Sequence, residues 1–220
     1  MSSTRQAFGH ALLELSGDLL RLGGKVEESM ARAVQSLVKQ DQDLAQKVID
    51  GDQIVDDMQR AIEVQCLRLI ATQQPTAKDL RRIAAALKIA IDLERMADHA
   101  VDIARTALRI GDEPLIKPLI DIPRMAELVQ AMVRNALNCY AQEDVELANQ
   151  LAQDDDLVDH LHNQVFLELL MLMMEDPRTI KQGIQLIFVS RYLERIADHA
   201  TNIGEEAIYQ GTGERQELND

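Results

Sequence analysis

Carboxylates spaced four residues apart recur along this chain, and they are its most chemically capable pattern. Residues 93–103 read LERMADHAVDI and residues 193–203 read LERIADHATNI, identical at eight of eleven positions and separated by 100 residues. The first copy carries Glu94, Asp98 and Asp102; the second carries Glu194 and Asp198, with Asn202 in the third place. Positions four apart lie on one face of an α-helix, so each copy is a short ladder of oxygen donors. Asp52 with Asp56 and Asp155 with Asp159 repeat the spacing. Hard oxygen ligands suit Mg, Ca, Mn and Fe, and a nearby imidazole would also admit Zn.

The placement of these pairs about two prolines is informative. Asp56 and Glu94 are equidistant from Pro75, as are Asp52 and Asp98. In the second half, Asp159/Glu194 and Asp155/Asp198 are centred on Asp176-Pro177. In an antiparallel helical hairpin, residues equidistant from the turn sit at one height. The two pairs of each half are therefore expected to be level, roughly 28 Å from the turn at ~1.5 Å per residue. Four level carboxyl groups repel one another and need cations, metallic or side-chain, to stay ionised. Helical bundles build multinuclear metal sites in this way.

An ordinary alternative exists. Arg95 precedes Asp98 by three, Arg105 follows Asp102 by three, and Arg191 precedes Glu194 by three. Such pairs on a solvated face contribute only ~0.2–0.5 kcal/mol each. One acidic pair would favour that reading; four, duplicated and level, favour metal. His99 and His199 lie at the edge of each acidic face, and His162 follows Asp159 by three, so each is a secondary ligand candidate. Met171, Met173 and Met174 read as core filler.

The elements that position these groups are helices. Phe8, Leu12, Leu15, Leu19, Leu22, Val26, Met30, Ala33 and Leu37 mark a first helix over about 5–38. Gly23-Gly24 weakens it by roughly 1 kcal/mol per glycine and marks a kink or a close approach. Similar patterns predict helices to about 72, over 77–110, 122–142, 144–175 and 178–209, with Gln40-Asp41 and Pro75-Thr76 as turn and cap signals. GDEPLIKP at 111–118 is the main break. The expected class is all-α: two tandem, internally duplicated three-helix bundles, residues 1–112 and 113–210, followed by a polar, frayed tail at 211–220.

Composition agrees. Of the 220 residues, 46% are apolar but only 3% aromatic, with no Trp, which suits helix-on-helix cores. The net charge of −14 disfavours nucleic-acid binding and docking on anionic lipid. Cys66 and Cys139 sit singly in apolar helical patterns and read as buried, reduced thiols. MSSTRQAFGH lacks the apolar stretch of a secretory signal, and no apolar run reaches the ~18 residues of a membrane span. The expected location is cytoplasmic, peripheral to the membrane only through partners.

The chain resembles the PhoU family of phosphate-uptake regulators over about residues 5–210. The resemblance rests on the duplicated LER…DHA motif, on VIDGDQIVD (Val48 to Asp56), on QPTAKDLR (Gln74 to Arg81) and on MMEDPRTI (Met173 to Ile180). It implies two similar three-helix bundles with multinuclear clusters of divalent or trivalent metal ions (Fe, Mn, Zn, Mg or Ca) on the repeated motifs. The implied ligands are Asp52, Asp56, Glu94, Asp98 and Asp102 in the first bundle, and Asp155, Asp159, Glu194, Asp198 and Asn202 in the second. Asn202 replaces a carboxylate, so the second site carries one charge less. The resemblance further implies a non-enzymatic, homodimeric negative regulator of the phosphate-starvation response. Such proteins link the ATPase subunit of the phosphate ABC transporter to the phosphate-regulon sensor histidine kinase.

A competing class is a multinuclear metalloenzyme, an oxidase or a phosphoesterase. Ferritin-like oxidases use Glu-x-x-His pairs, and the sequence contains none. A phosphoesterase would require cationic groups beside its metals, for which Arg95 and Arg195 are the candidates. A metal-free helical scaffold is the third reading.

Overall fold

The computed structural model describes residues 2–218, with the side chains of residues 2–4 left aside. Six long helices follow one another: α1 (Ser2–Lys39), α2 (Gln42–Gln73), α3 (Ala77–Ile110), α4 (Asp121–Gln142), α5 (Val145–Glu175) and α6 (Ile180–Thr212). A single 3-10 turn, Pro177–Thr179, precedes α6. The ends are set by local chemistry. The Asp41 carboxylate accepts from the Leu44 N–H at 2.9 Å, and Asp144 repeats this cap with Leu147 at 3.0 Å. Gln74, at φ 45°, and Pro75 end α2 and start α3.

Helices α1–α3 form one three-helix bundle and α4–α6 a second. They meet where α3 packs on α6 and α1 on α4, whereas α2 touches only α1 and α3. Helix α3 buries Ala90, Ala97, Ala100 and Ala104, and α6 buries Ala197, Ala200 and Gly204. Lys88 meets Glu206 and His99 meets Tyr192, so α3 and α6 run antiparallel. The motif copies thus face each other across a local two-fold relation, in which each motif residue of α3 has its counterpart 100 positions on in α6.

The Gly23-Gly24 pair does not interrupt α1, which runs on through it. A Cβ on Gly23 would stand 2.1 Å from Leu137 Cδ1, so this glycine permits the close approach of α1 to α4. The core is one cluster through both halves, built on fully buried residues such as Leu15, Leu19, Met30, Ile89, Leu93 and Ile196. Each buried aliphatic side chain contributes roughly 1.5–3 kcal/mol. Cys66 and Cys139 are buried free thiols, pushed up to about 12 by burial.

The C-terminal segment corrects the expectation of a frayed tail. Beyond Gly213 the chain folds back on α6. Arg215 lies 4.6 Å over the Tyr209 ring and 3.3 Å from Glu206 Oε1, while the Leu218 N–H donates to Glu205 Oε1 at 2.9 Å. Leu218 packs where Gly204 presents no side chain. One apolar residue and one arginine anchor a segment whose composition reads as polar. Residues 219–220 lie outside the described part. Among the described residues, no helix is long and apolar enough to cross a membrane.

Candidate metal centre

The carboxylates stand on the α2–α3 and α5–α6 hairpins, as their distances from the turns require. In the first half Asp52, Asp56, Glu94, Asp98 and Asp102 are all half-buried. Burial is the largest influence raising Asp52, and the charges of Asp98, Asp56 and Asp102 add to it. Glu94 is raised by burial and then by Asp98, Asp56 and Asp52. Asp98 is raised chiefly by burial, with Arg95 and Arg105 opposing. The two pairs therefore share one electrostatic environment and repel across the hairpin.

The second half is drier. Asp155 and Glu194 are buried, Asp198 is half-buried and Asp159 is exposed. Burial, then the charges of Asp198, Asp159 and Glu194, push the Asp155 carboxyl up to about 7. Glu194 also rises to about 7, by burial and by Asp198, although Arg191 opposes the shift. Asp155 Oδ1 and Glu194 Oε2 are buried without a hydrogen-bond partner. A buried, unpaired carboxylate oxygen is costly.

The side-chain cations satisfy only part of this charge. Arg191 pairs with Glu194 and Arg105 with Asp102, as the spacing indicates. Arg95 reaches Glu94 at 3.8 Å rather than Asp98, and Asp56 meets Arg60 at 3.1 Å. Among the described residues, no three His, Cys, Asp or Glu side chains are gathered closely enough to hold an ion as they stand. The donor set nonetheless fits a hard cation: it is all oxygen, it carries excess negative charge, and two buried oxygens lack partners.

The histidines make their contacts elsewhere: His99 and His199 at the seam between the bundles, His162 with Ser190. His99 stacks on Tyr192 at 5.8 Å and on His199 at 5.9 Å. Burial, helped by Arg195 and His199, lowers the His99 imidazole to about 4. His199 Nδ1 lies 2.9 Å from Asp92 Oδ1. Asn202 turns the same way, donating from Nδ2 to Asp92 Oδ1 at 3.4 Å, so its amide faces α3. His162 Nδ1 lies 2.9 Å from Ser190 Oγ. Sequence reasoning overlooked the seam itself. A groove of about 540 Å³ opens there, lined by Arg95, Asp98, His99, Asp102, Arg105, Arg195 and His199. The repeat offset of 100, applied to Asp92 and Tyr192, was the available signal.

Comparison with known proteins gives a consistent answer. The family model described as the PhoU domain matches twice, at residues 19–107 and 122–207. The phosphate-specific transport system accessory protein PhoU homolog of Clostridium acetobutylicum is 42% identical over 218 residues, 99% of this chain and 100% of that protein. Its counterpart in Aquifex aeolicus is 42% identical over 203 residues, 92% of each chain. The crystal structure of PhoU from Pseudomonas aeruginosa superposes with a TM-score of 0.89 at 39% identity, covering 94% of this chain and 100% of that one. The PhoU regulatory protein of the phosphate transport system from Streptococcus pneumoniae gives 0.88 at 31% identity, covering 95% and 99%.

Proposed function

The chain belongs to the PhoU family, and from that premise we propose that it is a negative regulator of phosphate uptake. It acts as an adaptor between the ATPase subunit of a phosphate ABC transporter and a sensor histidine kinase, through protein contacts rather than catalysis. The observation that carries this reading is the end-to-end match to an accessory protein of phosphate-specific transport, over 99% of this chain and 100% of that relative. The reading includes a homodimer in the cytoplasm.

Metal belongs to the same reading. Asp52, Asp56, Glu94, Asp98 and Asp102 would hold ions on the first hairpin, and Asp155, Asp159, Glu194 and Asp198 on the second. The partnerless oxygens of Asp155 and Glu194 support this. A bound ion would supply the positive charge that Arg191, Arg105 and Arg60 leave undelivered. The protein's part is to present level carboxylates from two rigid helices and to shield Asp155 and Glu194 from water.

Deleting the gene in its host and following phosphate-regulon expression in phosphate-rich medium tests the regulator. Derepression is expected. Unchanged repression, in a strain without a second copy of the gene, overturns the reading.

A further inference from the structure

Helix α5 is apolar on two opposite sides. Ala148, Leu151, Val158, Leu161, Val165 and Leu169 point inward and are buried. On the other side, Leu157, His160, Gln164, Leu167, Met171 and Met174 follow one another at alternating intervals of three and four. That is the spacing of a coiled-coil seam. No other described helix covers it: among the helical elements of the described residues, α5 packs only against α4, α6 and the 3-10 turn. Leu157 is 53% exposed, Leu167 58%, Met171 64% and Met174 76%. An exposed stripe that is apolar at four of its six positions marks an interaction surface.

The face continues into a concavity at its N-terminal end. A groove of about 650 Å³ lies between α4 and α5, floored by Leu128, Leu157 and Leu161 and edged by Arg124, Glu127, Asp156, His160 and Gln164. From Leu157 to Met174 the stripe spans ~26 Å of helix.

Charge selects the occupant. Over its 31 residues α5 contains no Lys or Arg and seven Asp or Glu. Asp156 and Glu175 border the stripe, whereas Glu168 is paired with Lys117. A second copy of this chain would bring the same carboxylates against one another, on a molecule of net charge −14. An anionic lipid surface meets the same repulsion. The corresponding face of α2 exposes Ile54, Val64 and Leu67. There Arg68 stands at the position equivalent to Met171, 103 residues earlier, so the two faces are not alike.

We propose that the outer face of α5, from Leu157 to Met174, is the docking surface for a basic amphipathic helix of a partner protein. The partner lays leucine-like side chains along the stripe and sets lysines or arginines against Asp156 and Glu175. The flexible Met171 and Met174 adapt to its contours. This deepens the adaptor reading and rests on it for the existence of a partner. The binding test is independent of the gene-deletion test, so the two readings can fail separately.

The test uses the full-length chain and a labelled peptide of about 18 residues, built of Leu and Lys in heptad order, followed by fluorescence anisotropy near 0.15 M salt. Saturable binding is expected, weakened about tenfold or more by Leu167→Gln with Met171→Gln. These substitutions leave charge and helix propensity almost unchanged, and both sites are exposed, so the thermal midpoint should hold. Met174→Gln alone should act in the same direction. Equal binding of a scrambled Leu/Lys peptide, or unaltered binding by the double variant, overturns the proposal. So does loss of binding through Val64→Gln with Leu67→Gln on α2. A dimer of the chain that the double variant dissociates would assign the face to a second copy instead. Attachment to phosphatidylglycerol vesicles that the double variant loses would assign it to membrane.

Discussion

His199 and Asp92, 107 residues apart in sequence, meet across the seam between the two bundles with Nδ1 2.9 Å from Oδ1. The equivalent place in the other half holds His99 against Tyr192, a stacking contact instead of a polar one. The duplication has thus been used asymmetrically at its own junction. Asp92→Ala is expected to destabilise the fold by about 1–2 kcal/mol, since the imidazole and the Asn202 amide both lose their acceptor. A double-mutant cycle with His199→Ala in urea unfolding should return a coupling of about 1 kcal/mol. A coupling near zero would show that the contact contributes nothing.

The metal-free protein should lose stability as pH rises from about 5 to 8. Asp155 and Glu194 have folded-state values near 7, well above those of the unfolded chain. The folded state therefore holds protons that the unfolded state has already released, and stability falls with pH until both groups are ionised. Each pKa unit corresponds to about 1.4 kcal/mol, and the pair is coupled, so a combined loss on the order of 3 kcal/mol is expected. Asp155→Asn with Glu194→Gln should flatten the profile. Thermal unfolding of chelated protein across this range is the measurement, and a rise toward pH 8 would contradict the assignment.

Added Mn or Fe should reverse that loss. An ion binding only the folded state stabilises by RT ln(1 + [L]/Kd), about 3 kcal/mol at a hundredfold excess over Kd. The thermal midpoint should rise most at pH 8, where the carboxylates are ionised. The double variant at Asp155 and Glu194 should lose the second-half share and keep that of the first. Elemental analysis of protein purified without chelator gives the content directly. Failure to take up Mn, Fe or Zn would remove the metal from the reading.

The adjacent glycines of α1 should respond in opposite directions. Gly23→Ala sets a Cβ 2.1 Å from Leu137 Cδ1, and Leu137 is buried, so its side chain has little room to yield. A net destabilisation of about 1–2 kcal/mol is expected from overpacking. At Gly24 nothing lies within 4 Å of the new Cβ. Gly24→Ala should therefore stabilise by up to ~1 kcal/mol through helix propensity. Chemical denaturation of the two single variants makes the comparison.

Much of this architecture was legible in the sequence because helical order is written locally. The apolar periodicity, the Asp41 cap and the prolines at 75 and 177 mark six helices. Their turns fix which carboxylates are level. The repeat of LER…DHA at an interval of 100 residues announces the duplication without any coordinates. Tertiary structure decided what depends on packing between distant segments. It brought α3 and α6 together antiparallel, which turns His99, His199 and Asn202 into the seam. It distinguished Gly23 from Gly24, which are alike to a propensity scale but only one of which faces α4. It anchored the C-terminal segment through Leu218 and Arg215, whose contacts lie on α6. It also buried Asp155 and Glu194 more deeply than Asp52 and Glu94, although the two sets have the same spacing. Spacing determines which face of a helix a residue shares; the desolvation that moves a carboxyl toward 7 depends on what the rest of the chain lays over that face.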